Sequence, residues 1–240
     1  MKIALTFVAF NNNRFVNALL TSFINTNPDI KDIVIFNNGT EDVIVMPLLE
    51  KNLNITILDN RSNQYIDFPK FFAENPPRFN DHWHNNYGSL YHAKALDYLI
   101  QTLEYDKLIL CDVDVMFTKS LKELFTDDVV CGEIGINPVM NGDTENRLLP
   151  FLFILDKQVK GKLTYFDKTR FLLLSHPRYD TGASFLEDVL NLNVSFKQIK
   201  INDFITHFNG GTWYGKDKNY LYWFAKHSHL LRLPKDESDV

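Results

Sequence analysis

The feature that most constrains this fold is a series of short, almost unbroken apolar runs. Ile3 to Phe10 is the first. DIVIFN (32–37) and LNITIL (53–58) follow, and then a longer run from Lys107 to Phe117 that contains LILCDVDVMF. A strand covered on one face alternates apolar and polar residues, whereas a strand covered on both is apolar throughout. Helical patterns separate the runs. Phe15, Leu19, Ser22 and Phe23 recur at helical spacing with Val16 and Leu20 beside them, and Leu96, Leu99, Ile100 and Leu103 form one stripe of a helix over 89–104. Asn11 to Asn13 offer capping side chains to the first helix, and Asn38-Gly39 closes the second run as a turn. Strands alternating with helices imply βαβ units. The 240 residues, 45% of them hydrophobic, suit one α/β domain with a mostly parallel sheet flanked by helices.

Residues 59–88 break this rhythm with Asn, Pro and aromatic residues, as functional loops do. Ser120 and Glu123 make an S-x-x-E capping box, which predicts a helix over LKELF. Past residue 130 the pattern is less regular. LLPFLFIL (148–155) reads as a strand, 180–190 runs into a helix, and 198–207 reads as a late strand. Tyr220, Trp223, Phe224 and His227 fall at helical spacing, and the final 235–240 reads as a disordered tail.

A net charge of -5 gives no electrostatic case for a nucleic-acid partner. The two cysteines, Cys111 and Cys131, make neither a disulfide scaffold nor a zinc site and read as buried thiols. The apolar N-terminal run is followed by NNNR rather than by a small-residue cleavage site, so it reads as a strand and not a signal peptide. No apolar stretch is long enough to span a bilayer, and a cytoplasmic protein is expected.

The chemistry centres on Asp112-Val113-Asp114. In a strand alternate side chains share a face, so Asp112 and Asp114 point together and Val113 points the other way. They stand at a strand end, where open α/β sheets place their ligands. Two adjacent carboxylates repel and need a counter-charge, which Mn²⁺ or Mg²⁺ supplies while bridging to a diphosphate.

The segment YDKLILCDVDVMFTKSLKELF resembles the D-x-D segment of glycosyltransferases of the GT-A type, and of family 8 in particular. TFVAFNNN, IFNNGT and NNYG are similar to the nucleotide-binding segments of family 2, in the same order. The resemblance covers roughly residues 3 to 125 plus one late motif. It implies a GT-A, Rossmann-like fold over 1–234, with a nucleotide-binding half (1–117) and an acceptor-binding half (118–234). It also implies transfer of a sugar from a nucleotide-sugar, expected to be a UDP-sugar, to a glycan or lipid-linked hydroxyl. Ala9, Phe10, Asn11, Asn37, Asn60, Asn86 and Val113 are the implied donor contacts. Family 2 carries Asp where this chain has Asn37, and an amide can also pair with a uracil edge.

HFNGGTWYG is similar to the late His-x-x-Gly segment of family 8, which makes His207 a third metal ligand and brings in Trp213. Two oxygens and an imidazole suit Mn²⁺, and Gly210 and Gly211 let the backbone approach the diphosphate. The Lys-Pro of that family is replaced by Gly211-Thr212, so a leaving-group lysine falls to Lys216 or Lys94. Inversion also requires a base for the acceptor hydroxyl. Glu187 or Asp188 resembles the acidic pair of family 2, and Asp180 is the next candidate. Retention requires none.

His82, Trp83, His84 and Tyr87 suit sugar stacking or simple loop anchoring. The stripe Tyr220, Trp223 and Phe224 suits core packing better than peripheral membrane contact. Competing readings are a haloacid dehalogenase-like phosphohydrolase using Asp112 and Asp114, a nucleotidyltransferase, and a non-catalytic glycan-binding protein. The first is disfavoured by Met116 and by the mid-chain motif, and the second by NNNR where a Gly-rich phosphate loop belongs. The third leaves the acids unexplained.

Overall fold

The computed structural model describes residues 1–74, 87–138, 144–163, 183–208 and 219–232. The apolar runs become strands β1 (Ile3–Ala9), β2 (Asp32–Asn37), β3 (Asn54–Asp59) and β4 (Lys107–Cys111). These four pair in parallel in the spatial order β3-β2-β1-β4. The chain thus moves outward from β1 to β3 and then returns to the far side of β1. The carboxyl ends of β1 and β4 flank a switch point, the place where sheets of this kind bind ligands.

Beyond β4 the sheet is antiparallel. Strand β7 (Thr144–Asp156) pairs with β4 and with β6 (Val130–Pro138), and β8 (Phe196–Gln198) closes the edge parallel to β6. The α/β class and the mostly parallel sheet match expectation, but β6 is a strand that hydropathy does not announce. Its Gly132 and Gly135 leave room for Leu148 and Leu149 of β7, against which an added Cβ would stand 2.7 and 2.5 Å away.

Alternation along the strands sorts the core into two faces. Leu5, Phe7, Ile109 and Cys111 pack with Phe15, Leu19 and Phe23 of helix α1 (Asn13–Thr26). Ala4, Val8, Leu108 and Leu110 pack on the other face. There they meet Leu96 and Leu99 of α4 (Tyr87–Thr102) and Phe185 of α5 (Ala183–Asn191). Two short helices, α2 (Pro47–Asn52) and α3 (Phe68–Glu74), fill the loops after β2 and β3. Helix α6 (Asn219–Lys226) turns Trp223 into the core against Phe15 and Phe208. The aromatic stripe therefore serves packing, and the outward residues of this helix are Leu221 and Tyr222. Among the described residues no helix is long and apolar enough to cross a membrane.

Three local expectations change. The run 107–117 is not one strand: it breaks at 112–114, and β5 (Val115–Phe117) leaves the main sheet to pair with β9 (Ile205–His207). The stretch 198–207 likewise divides into β8, a 3₁₀ turn at Ile201–Asp203 and β9. LKELF makes only a 3₁₀ turn at Lys122–Leu124, where Ser120 Oγ accepts the Lys122 N–H at 3.3 Å and Glu123 pairs with Lys119 at 2.6 Å. The tail 235–240 lies outside the described residues.

Strand β5 is held on its other side by α1. Ser22 Oγ accepts the Phe117 N–H at 3.0 Å and donates to Leu19 O at 2.9 Å, wholly buried. Replacing Ser22 by Ala strands a buried N–H. It is expected to lower unfolding free energy by about 1–3 kcal/mol in denaturant titration.

Candidate metal centre

The two acids sit in the turn between β4 and β5, where the backbone passes from the large sheet to the small one. Val113 between them is buried and anchors that turn in the core. Pairing of β5 with β9 sets Val115 opposite His207, and the Phe208 N–H donates to Asp114 O at 3.0 Å. The imidazole thereby lands on the acids: His207 Nε2 is 3.1 Å from Asp114 Oδ1 and 3.9 Å from Asp112 Oδ2. Phe151 of β7 lies along the imidazole with ring centroids 4.0 Å apart.

Side-chain exposure is 19% for Asp112, 5% for Asp114 and 9% for His207. Burial pushes the Asp112 carboxyl above the usual carboxylate range and the Asp114 charge adds to the rise, while His92, His207 and Arg147 draw it back. Cys111, directly behind, is raised well above the ordinary thiol value by burial and by the same two acids. Cys131 is pushed up to about 11, also by burial. Both cysteines are buried free thiols, as expected.

Do these residues fit a divalent cation? One ligand atom from each of Asp112, Asp114 and His207 lies within 4.8 Å of the others. Adjacent donors around an ion with bonds of roughly 2.1 Å stand about 3 Å apart, close to the His207–Asp114 separation. Asp112 Oδ1 is buried and takes no hydrogen bond among the described residues, so the carboxylate pair lacks full compensation. Two carboxylates and an imidazole are a donor set for Mn²⁺ and similar ions. The residues fit.

The asparagines expected at the nucleotide each hold a turn or loop in place. Asn37 is 1% exposed. Its Oδ1 accepts the Gly39 N–H, and its Nδ2 donates to Glu41 O and to Asp59 Oδ1. The amide is enclosed, and these hydrogen bonds shape the turn after β2. Asn11, at φ 50°, accepts the Thr40 and Glu41 N–H groups. Asn13 and Asn17 continue the tie by accepting the Ile44 and Met46 N–H groups, so this cluster binds the 40–46 loop to α1 rather than capping the helix by the side chain of Asn12. Asn60 is buried and accepts the Tyr65 and Ile66 N–H groups.

Ala9 is buried at the end of β1, and Phe10 beside it is half exposed at the switch point. Lys94 lies over the Phe71 ring at 4.8 Å. It is two residues from His92, hence roughly 200° around α4, so it does not share the face that meets the acids. Glu187 is exposed and Asp188 half-buried on α5, and neither belongs to the Asp112–Asp114–His207 group. Asp180, Asn86, Gly210, Gly211, Trp213, Lys216, His82, Trp83 and His84 lie outside the described residues, and Tyr87 is described only as the first residue of α4.

Three neighbours escaped sequence reasoning. Phe151 and Arg147 reach the site by β7 pairing, which carries no local signal. His92 did carry one: it continues the apolar stripe of Ala95, Leu96 and Leu99, where a histidine is out of place.

No family model and no curated protein sequence matches the chain. Solved structures do resemble it. The apo form of the bifunctional glycosyltransferase WbbM is 13% identical, with 82% of this chain and 38% of that one covered at a TM-score of 0.46. The galactosyltransferase LgtC, in complex with donor and acceptor sugar analogs, is 17% identical, with coverage of 82% and 73% and a TM-score of 0.47. The glycosyltransferase GlyE of Streptococcus pneumoniae TIGR4 is 13% identical, with coverage of 95% and 50% and a TM-score of 0.44. This chain thus spans well under two thirds of the length of WbbM and of GlyE.

The Asn37 geometry makes a test. Asn37→Asp, the family 2 residue, removes two donors and sets a carboxylate against Asp59. It is expected to destabilise the fold by about 2–3 kcal/mol in denaturant titration, whereas an open base-pairing amide would tolerate the change.

Proposed function

We propose that the protein is a metal-dependent glycosyltransferase that moves a sugar from a nucleotide-sugar, a UDP-sugar in the first instance, to the hydroxyl of a glycan or lipid-linked acceptor. One observation carries this reading. Asp112 and Asp114 from the middle of the chain and His207 from late in it converge within 4.8 Å at the switch point of an α/β sheet. That is where a diphosphate held by a cation would lie against the ends of β1 and β4.

Asp112, Asp114 and His207 would hold Mn²⁺ or Mg²⁺. Bound there, the cation supplies positive charge against the diphosphate as negative charge grows on the leaving group. The chain supplies the rest. Asn11, Asn13 and Asn17 fix the 40–46 loop and Asn60 fixes the 60–66 loop, so the walls beside β1 are preorganised. Transfer forms a bond from the acceptor oxygen to the anomeric carbon, breaks the bond to the phosphate oxygen and releases the hydroxyl proton. For an inverting course we assign that proton to Glu187 or Asp188, with Asp180 next; a retaining course uses none of them.

Donor hydrolysis tests the reading. UDP release from a UDP-sugar is expected with Mn²⁺ and is expected to vanish with a chelator. Asp114→Ala removes a direct ligand. Loss of an outer-shell partner alone costs about 10–100-fold in metal affinity, so this change should cost more than about 100-fold and leave the unfolding midpoint near that of the parent. A chain that binds no nucleotide-sugar with Mn²⁺ present but hydrolyses a generic phosphomonoester contradicts the proposal.

A further inference from the structure

Asp112 divides its two carboxylate oxygens between two environments. Oδ2 faces His207 Nε2 at 3.9 Å, on the side of the proposed cation. Oδ1 faces His92 Nε2 at 3.5 Å, on the side of α4. Oδ1 is buried and receives no hydrogen bond among the described residues. His92, with 23% of its side chain exposed, is the polar group directed at it.

The placement is unusual for the helix. Ala95, Leu96 and Leu99 follow His92 on the same stripe and are all within 1% of full burial. Packing alone would favour an apolar residue at position 92, as at the other positions of the stripe. His92 also falls outside the group of side chains whose ligand atoms lie within 4.8 Å of one another, which makes it a neighbour of a ligand rather than a ligand.

We infer that His92 is a positioning residue for the metal centre: its Nε2, 3.5 Å from Asp112 Oδ1, closes to an N–H···O bond when the cation is held, and so keeps Oδ2 turned toward it. The inference rests on the metal reading of Asp112, Asp114 and His207. Carboxylates that bind metals are held by outer-shell hydrogen bonds of this kind, and removing such a partner weakens metal binding without removing the site. His92 thereby joins helix α4 to the centre.

Mn²⁺ titration of the full chain, followed by electron paramagnetic resonance without donor, separates the possibilities. His92→Phe keeps a ring and loses the donor. It is expected to bind Mn²⁺ about 10–100-fold more weakly than the parent. His92→Gln carries an amide N–H near the Nε2 position and is expected to restore affinity to within about threefold. Should His92→Phe fail to fold, His92→Asn, whose shorter amide stops short of that position, takes its place with the same expected loss. Nitrogen hyperfine coupling to the bound ion should report one imidazole, from His207, in the parent and in His92→Gln. Parent-like Mn²⁺ affinity in His92→Phe overturns the inference and leaves the metal centre standing, as does coupling to two imidazoles, which would make His92 a ligand. A parent chain that binds no Mn²⁺ overturns the metal reading and the inference together.

Discussion

The pairing of β5 with β9 is three residues long, and the site depends on it. Val115 opposite His207 and the Phe208 N–H on Asp114 O bring an imidazole from late in the chain onto two carboxylates from its middle. A two-stranded ribbon this short is not stable alone. It persists because both sides are engaged: Ser22 of α1 takes the Phe117 N–H, the Thr118 N–H reaches Phe204 O, and Phe117 packs edge-on against Phe23. Core packing thus determines where the imidazole stands. Phe151 then limits the tilt of the ring by lying along it.

Charge favours the proposed cation over a structural ion pair as the reason for the arrangement. One carboxylate is nearly enclosed, the other has a buried oxygen that takes no hydrogen bond among the described residues, and burial raises the Asp112 carboxyl accordingly. A structural ion pair would place an arginine or lysine between them. Among the described residues, the groups set against them include His207, His92 and the more distant charge of Arg147. Imidazoles compensate incompletely when neutral, and the geometry leaves the convergence point of three donors for a cation.

The large elements were legible because hydropathy is local. Doubly buried strands read as apolar runs at Ile3–Ala9 and Lys107–Cys111, and α1 reads from the spacing of Phe15, Leu19 and Phe23. Asp112 and Asp114 were legible as acids inside an apolar run. Their placement in a turn between two sheets was not, since the hydropathy of LILCDVDVMF is the same whether β5 continues β4 or departs from it. The local roles of the asparagines were hidden for a related reason. An amide suits a ligand and a turn equally, and only a count of its partners shows that Asn37 and Asn60 face inward. Strand β6 was hidden because Gly132 and Gly135 break its pattern to admit Leu148 and Leu149. His92 was visible as a polar residue on an apolar stripe, but its partner is set by tertiary packing.

The central claim is that Asp112, Asp114 and His207 together bind a divalent cation. Anomalous diffraction at the manganese edge, from crystals soaked with Mn²⁺ and UDP, tests it most directly. The account predicts one strong peak bounded by the Asp112 and Asp114 carboxylates and His207 Nε2, with the diphosphate beside it at the ends of β1 and β4. A well-diffracting soaked crystal with no peak among these three residues, or with UDP bound elsewhere and no ion, would contradict it.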